Sequence, residues 1–97
     1  MKVQVYSDLH IEYEDSDRVD VSKYIEKNSD VDIVILAGDI GNLYRYEQLK
    51  NFLVDVSNMY RYTFYVPGNH EFYMRKTLPM KSYRALYNDL YRLEKDV

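Results

Sequence analysis

Val31 to Ala37, VDIVILA, is an apolar, β-branched run interrupted only by Asp32. Such a run suits a parallel strand covered on both faces. A parallel strand needs crossover connections, which commits the chain to the α/β class. The flanking sequence agrees. Val3 and Val5 alternate around Gln4 in a short β pattern that ends at Ser7-Asp8, and the aromatic, β-branched stretch Arg61 to Val66 stops at Pro67-Gly68. Tyr46, Leu49, Phe52, Leu53, Val56 and Tyr60 recur at three- and four-residue intervals and predict an amphipathic helix. After a loop through Pro79, Tyr83, Leu86, Tyr87, Leu90 and Leu93 form another such stripe. Val21, Tyr24, Ile25 and Asn28 give a shorter helical face, with Asp20 or Ser22 as cap and Asn28-Ser29-Asp30 as its close. The expected order is β-α-β-α-β-α on a mainly parallel sheet. Should all three helices lie on one side, the other sheet face needs a partner.

With 97 residues the chain is one domain at most, with a small core. Its net charge of −3 gives no electrostatic reason for nonspecific binding to nucleic acid or to an anionic membrane. There is no cysteine, which excludes disulfides, thiolate zinc sites and cysteine nucleophiles. The N-terminus enters a strand at once, without a signal-peptide core, and Ile33 to Ala37 is far too short to span a bilayer. A soluble, cytoplasmic protein is expected. Its twelve tyrosines fit core edges and amphipathic faces, where an apolar ring with a polar tip is useful.

Each β run ends in a polar stretch: Asp8-Leu9-His10, Gly38-Asp39 and Gly68-Asn69-His70-Glu71. The C-terminal edge of a parallel sheet is where α/β folds build their sites. Asp, His and Asn side chains converging there are ligands for divalent cations, and a pair of such ions is suited to phosphate ester hydrolysis. If the backbone stays extended after the first strand, Asp8 and His10 point to one side and grip one cation. Each stretch also has a plainer reading: a turn Asp with a surface His, an N-cap Asp39 in competition with Asn42, and a Pro-Gly-Asn turn. Gly-Asn-His alone arises by chance in about 1% of chains this long. Three such stretches in order, each after a strand, make coincidence a poor account. Glu12, Glu14, Asp15 and Asp17 lack EF-hand spacing and read as a solvated loop. Arg45 reads as a solvated helix residue, and Glu71 as a residue that orients the site or caps a turn.

These three stretches resemble the first three motifs of the calcineurin-like metallophosphoesterases: Asp-x-His, Gly-Asp, and Gly-Asn-His followed by an acid. The similarity runs from Met1 to about Tyr73. It implies the first half of an αββα sandwich, with residues 1–97 as the N-terminal part of the domain and the C-terminal half absent. It also implies up to two divalent ions (Mn, Fe, Zn, Ni or Mg) and a phosphate-ester substrate. By resemblance Asp8 and His10 bind the first metal, Asp39 bridges both ions, Asn69 binds the second, and His70 acts beside the substrate as general acid or transition-state stabiliser.

Members of that family add a further His and a Gly-His-x-His segment downstream, whereas His10 and His70 are the only histidines here. The resemblance therefore leaves the first metal with Asp8, His10 and Asp39, and the second with Asp39 and Asn69. Ile40-Gly41-Asn42-Leu43-Tyr44 lacks the Asp and Arg that follow Gly-Asp in the protein phosphatases of the family, which favours the phosphodiesterase and nucleotidase group. Two readings stay open: a hydrolase needing its missing half, and a non-catalytic module that binds a partner. A homo-oligomer or the C-terminal half would cover an exposed sheet face.

Overall fold

The computed structural model describes residues 2–26, 30–68, 71 and 83–97, with the backbone alone for Tyr83 and Tyr87. Three strands, β1 (Lys2–Tyr6), β2 (Val31–Ala37) and β3 (Tyr62–Val66), form one sheet in the order β1-β2-β3, and both pairings are parallel. Helix α1 (Tyr46–Ser57) joins β2 to β3, and α2 (Tyr83–Asp96) follows β3. The α/β class and the parallel sheet are as expected.

The first crossover differs. It holds 3₁₀ turns at Ile11–Tyr13 and Val21–Lys23 in place of an α-helix. Asp20 is the cap, accepting from the Ser22 amide, and Ile25 N donates to Val21 O in one helical turn. So few apolar positions cannot carry a longer helix, because nucleation is costly and packing must repay it. Val19, Val21 and Ile25 are buried nonetheless, so the segment is held by its side chains. Asn28, the expected end of that face, lies outside the described residues.

Helix α1 buries Tyr46, Leu49, Phe52, Leu53 and Val56, the stripe read from the sequence, together with Gln48. Asn42 Oδ1 accepts from Tyr44 N in the turn before it, so Asn42 takes the capping role and Asp39 does not. Leu86 and Leu93 of α2 join the same core. The side chains of Tyr83 and Tyr87 lie outside the described residues. Among the described residues no helix is long and apolar enough to cross a membrane.

Strand order decides where the helices go. Successive parallel strands added in one direction through right-handed crossovers put both connections on the same face. Val34 and Leu36 are fully buried under that layer. On the opposite face the register aligns Val3, Ile33 and Tyr62 in one row and Val5, Ile35 and Phe64 in the next. Val3, Val5, Tyr62, Phe64 and Val66 are all roughly half exposed there (47–59%). Among the described residues one face of the sheet is packed and the other is apolar and open, so the expected cover on both faces of β2 is not met by them.

Candidate metal centre

The pairing of β1 with β2 continues past both strands. Asp8 N donates to Gly38 O (3.1 Å), His10 N to Asp39 O (3.0 Å) and Ile11 N to Ile40 O (2.9 Å). Residues 8–11 are thereby laced to residues 38–40. Along this lace Asp8, His10 and Asp39 have φ of 57°, 51° and 58°, the left-handed region. That conformation costs roughly 1–2 kcal/mol per residue, and Asp and His are among the side chains that tolerate it best. The extended geometry expected for Asp8 and His10 is thus replaced by successive left-handed turns. The side chains still meet.

One ligand atom each from Asp8, His10 and Asp39 lies within 4.8 Å of the other two. His10 Nε2 is 3.9 Å from Asp8 Oδ1. Donors bonded at about 2.0–2.2 Å to one divalent ion can stand up to about 4.4 Å apart, which accommodates this pair. Two carboxylates at the outer limit of 4.8 Å repel by roughly 1–3 kcal/mol for effective dielectrics of 80 to 20. A cation between them turns that repulsion into attraction. The donor set of Asp8, His10 and Asp39 fits a candidate divalent-metal group. Asn69 and His70, the other expected site residues, lie outside the described residues.

Glu12 was not legible as part of this site. Its side chain is buried, and Oε1 lies 3.1 Å from His10 Nδ1. A carboxylate oxygen accepts, so Nδ1 carries the hydrogen, and in the neutral ring that leaves the Nε2 lone pair for a cation. Carboxylate–histidine pairs of this kind orient metal-binding imidazoles. The Tyr13 ring stacks on the imidazole, with centroids 5.4 Å apart. The only cue in the sequence is a carboxylate two residues after a histidine.

Glu71 lies on the inner side of the loops and is fully buried. Its Oε1 accepts from Gly68 N (3.0 Å), Asp39 N (3.1 Å) and Ile40 N (3.3 Å). Burial pushes its carboxyl up from the usual range; the Gly68 and Ile40 amides and the Tyr65 hydroxyl oppose the rise, and Asp39 adds to it. Burial, with Glu71 next, raises the Tyr65 phenol well above its ordinary value. Gly68 packs against the site carboxylate: a Cβ there would lie 2.4 Å from Asp39 Oδ1 and 2.7 Å from Asp39 N. The glycine of the third stretch is thus required by contact with the aspartate of the second.

The acidic loop is better ordered than its composition suggests. Arg45 is not a solvated helix residue: its guanidinium donates to Glu14 O, Asp15 O and Ser16 O and pairs with Asp17. Gln48 Nε2 donates to Glu14 O and Ser16 O, and Asn51 Nδ2 to Asp17 O. Glu12 is buried, contrary to the expectation of solvation, because it serves His10.

This architecture is an α/β domain whose loop edge gathers a candidate divalent-metal group. Over residues 1–97 the chain matches the calcineurin-like phosphoesterases, and it belongs to that family. It is 39% identical over 72 residues to an uncharacterized protein of Acanthamoeba polyphaga mimivirus, an alignment covering 69% of this chain and 25% of that protein. It is 34% identical over 76 residues to an uncharacterized metallophosphoesterase of Helicobacter pylori (strain ATCC 700392 / 26695), covering 75% of this chain and 20% of that protein. The chain therefore spans about a quarter and a fifth of these two relatives. No solved structure matches it significantly.

Proposed function

We propose that this chain is the metal-binding N-terminal part of a metallophosphoesterase domain, a hydrolase of phosphate mono- or diesters. The observation that carries the reading is the convergence of Asp8, His10 and Asp39 within 4.8 Å. In this reading those three residues hold the first divalent ion, Asp39 and Asn69 hold the second, and His70 stands beside the substrate as general acid or transition-state stabiliser. Bound ions supply a water of lowered pKa and neutralise phosphoryl charge. The rest of the protein's share is positional: Glu12 fixes the His10 ring and Gly68 leaves room for the Asp39 carboxylate. Mn, Fe, Zn, Ni or Mg all suit oxygen and imidazole donors.

Full activity requires the C-terminal half with its further histidines, because the second ion has only Asp39 and Asn69 from this chain. The open apolar face, lined by Val3, Val5, Tyr62, Phe64 and Val66, supports a covering sheet from that half or from a second copy. The same face supports the second reading, a partner-binding module without catalysis. Arg45, engaged with the carbonyls of Glu14 to Ser16, is not available to clamp a phosphate. That supports the phosphodiesterase and nucleotidase group over protein phosphatases.

The test is turnover of a chromogenic phosphodiester with manganese, beside a calorimetric manganese titration. Turnover lost in Asp39→Asn and in His70→Ala supports hydrolysis by this site. Stoichiometric metal uptake without turnover supports the need for the missing half. Turnover indifferent to both substitutions, or no metal uptake at all, overturns the reading.

A further inference from the structure

Two of the three site loops are joined through one atom. Glu71 Oε1 takes the amide hydrogen of Gly68 from the loop after β3, and those of Asp39 and Ile40 from the loop after β2. The side chain spans 32 residues of sequence to reach Asp39 and is wholly shielded from water. Three convergent N–H donors hold one acceptor atom from three sides. Asp39 itself has left-handed φ, a conformation that does not persist unless the surroundings over-determine it. The hydrogen bond its N–H donates to Glu71 and the contact of Gly68 with its carboxylate are two such determinants.

We infer that Glu71 is a positioning residue: it locks the loop after β2 to the loop after β3 and so presets the Asp39 carboxylate for a metal ion. This deepens the proposed function and rests on it for the metal, but the loop lock itself does not. Gly68 also begins the Gly68-Asn69-His70 stretch, so holding its amide fixes the starting point of the segment that carries two further proposed site residues. All three backbone amides bind Oε1, and the buried Tyr65 hydroxyl interacts with the same carboxylate. The clamp therefore works through Oε1 and its geometry. A glutamine can reproduce that geometry, because its carbonyl oxygen accepts the same three donors.

The experiment uses the full chain in four forms: wild type, Glu71→Gln, Glu71→Ala and Glu71→Asp. Amide hydrogen exchange without metal reads the lock, and manganese affinity by titration and electron paramagnetic resonance reads the preset. Expected are exchange rates at Asp39, Ile40 and Gly68 at least tenfold faster in Glu71→Ala, with α1 amides such as Leu53 unchanged. Manganese affinity in the same variant should fall about 10- to 100-fold, while Glu71→Gln stays within about threefold on both readouts. Glu71→Asp is one methylene too short to reach all three donors and should follow Glu71→Ala. Unchanged exchange and affinity in the shortened variants overturn the inference, as does loss in Glu71→Gln equal to that in Glu71→Ala. Global unfolding of both shortened variants assigns Glu71 to the fold at large and also overturns it. A wild-type chain that takes up no manganese sinks the metal reading separately, leaving the exchange arm to decide the lock.

Discussion

Replacing Glu12 by alanine should weaken metal binding without touching a proposed ligand. Oε1 of Glu12 is 3.1 Å from His10 Nδ1 in a nearly buried setting, and the His10 side chain is itself only 20% exposed. Removing the acceptor leaves the ring free to rotate about χ2 and lets the hydrogen move to Nε2, which then has no lone pair for a cation. Loss of such an outer partner costs about 10- to 100-fold in metal affinity, or roughly 1.4–2.8 kcal/mol. Glu12→Gln keeps an acceptor oxygen and should lose less than about threefold. Calorimetric titration with manganese gives the affinities, and imidazole ¹⁵N shifts report the tautomer in the metal-free chain. An alanine variant with wild-type affinity and an unchanged Nδ1–H tautomer refutes the reasoning. Equal losses in Gln and Ala would refute it differently, showing that charge and not orientation matters.

Gly68→Ala should lower manganese affinity at least tenfold and cost about 1–3 kcal/mol of stability, because its methyl would sit 2.4 Å from Asp39 Oδ1; wild-type binding in that variant counts against the packing described. A pH effect follows from Tyr24, whose phenol is pushed up to about 12, first by burial and then by the hydrogen bond and charge of Glu14. The folded chain keeps a proton that the unfolded chain releases from about pH 10, so stability is full below pH 10 and declines as pH rises toward 12. Denaturation midpoints between pH 8 and 12 should show that decline, and Tyr24→Phe should shrink it; a midpoint rising with alkali contradicts the sign. On the open sheet face, Val5→Lys with Phe64→Lys should abolish concentration-dependent self-association in sedimentation while leaving the circular dichroism spectrum intact. Persistent association in that double variant would exclude this face as its cause.

Periodicity made the sheet and α1 legible, because burial of one face imposes a repeat on neighbouring residues. Tyr46, Leu49, Phe52 and Val56 announce their helix, and VDIVILA its strand. The first crossover misled because Val21, Tyr24 and Ile25 have helical spacing but too little length. Of the candidate site, Asp8, His10 and Asp39 could be read as motif residues, but their left-handed backbone could not. Glu71 could be read as a residue that orients the site or caps a turn, but its partners could not. A buried carboxylate satisfied by amides 31 and 32 residues away leaves no local pattern. Glu12 sits among acids that are exposed, so composition disguised it. Arg45 is equally silent in the sequence: its partners are loop carbonyls 29–31 residues distant and the Asp17 carboxylate 28 residues away.

The lacing of Asp8 to Gly38 and of His10 to Asp39 makes the spacing of the two site carboxylates an inheritance of how β1 lies against β2. A slip of one position would carry Asp8 about 3.3 Å along the neighbouring strand and turn Val3 and Val5 to the opposite side. Distant changes at the far end of the sheet, where the alignment already shifts between Lys2 and Val3, can therefore detune the cluster without altering any residue that belongs to it.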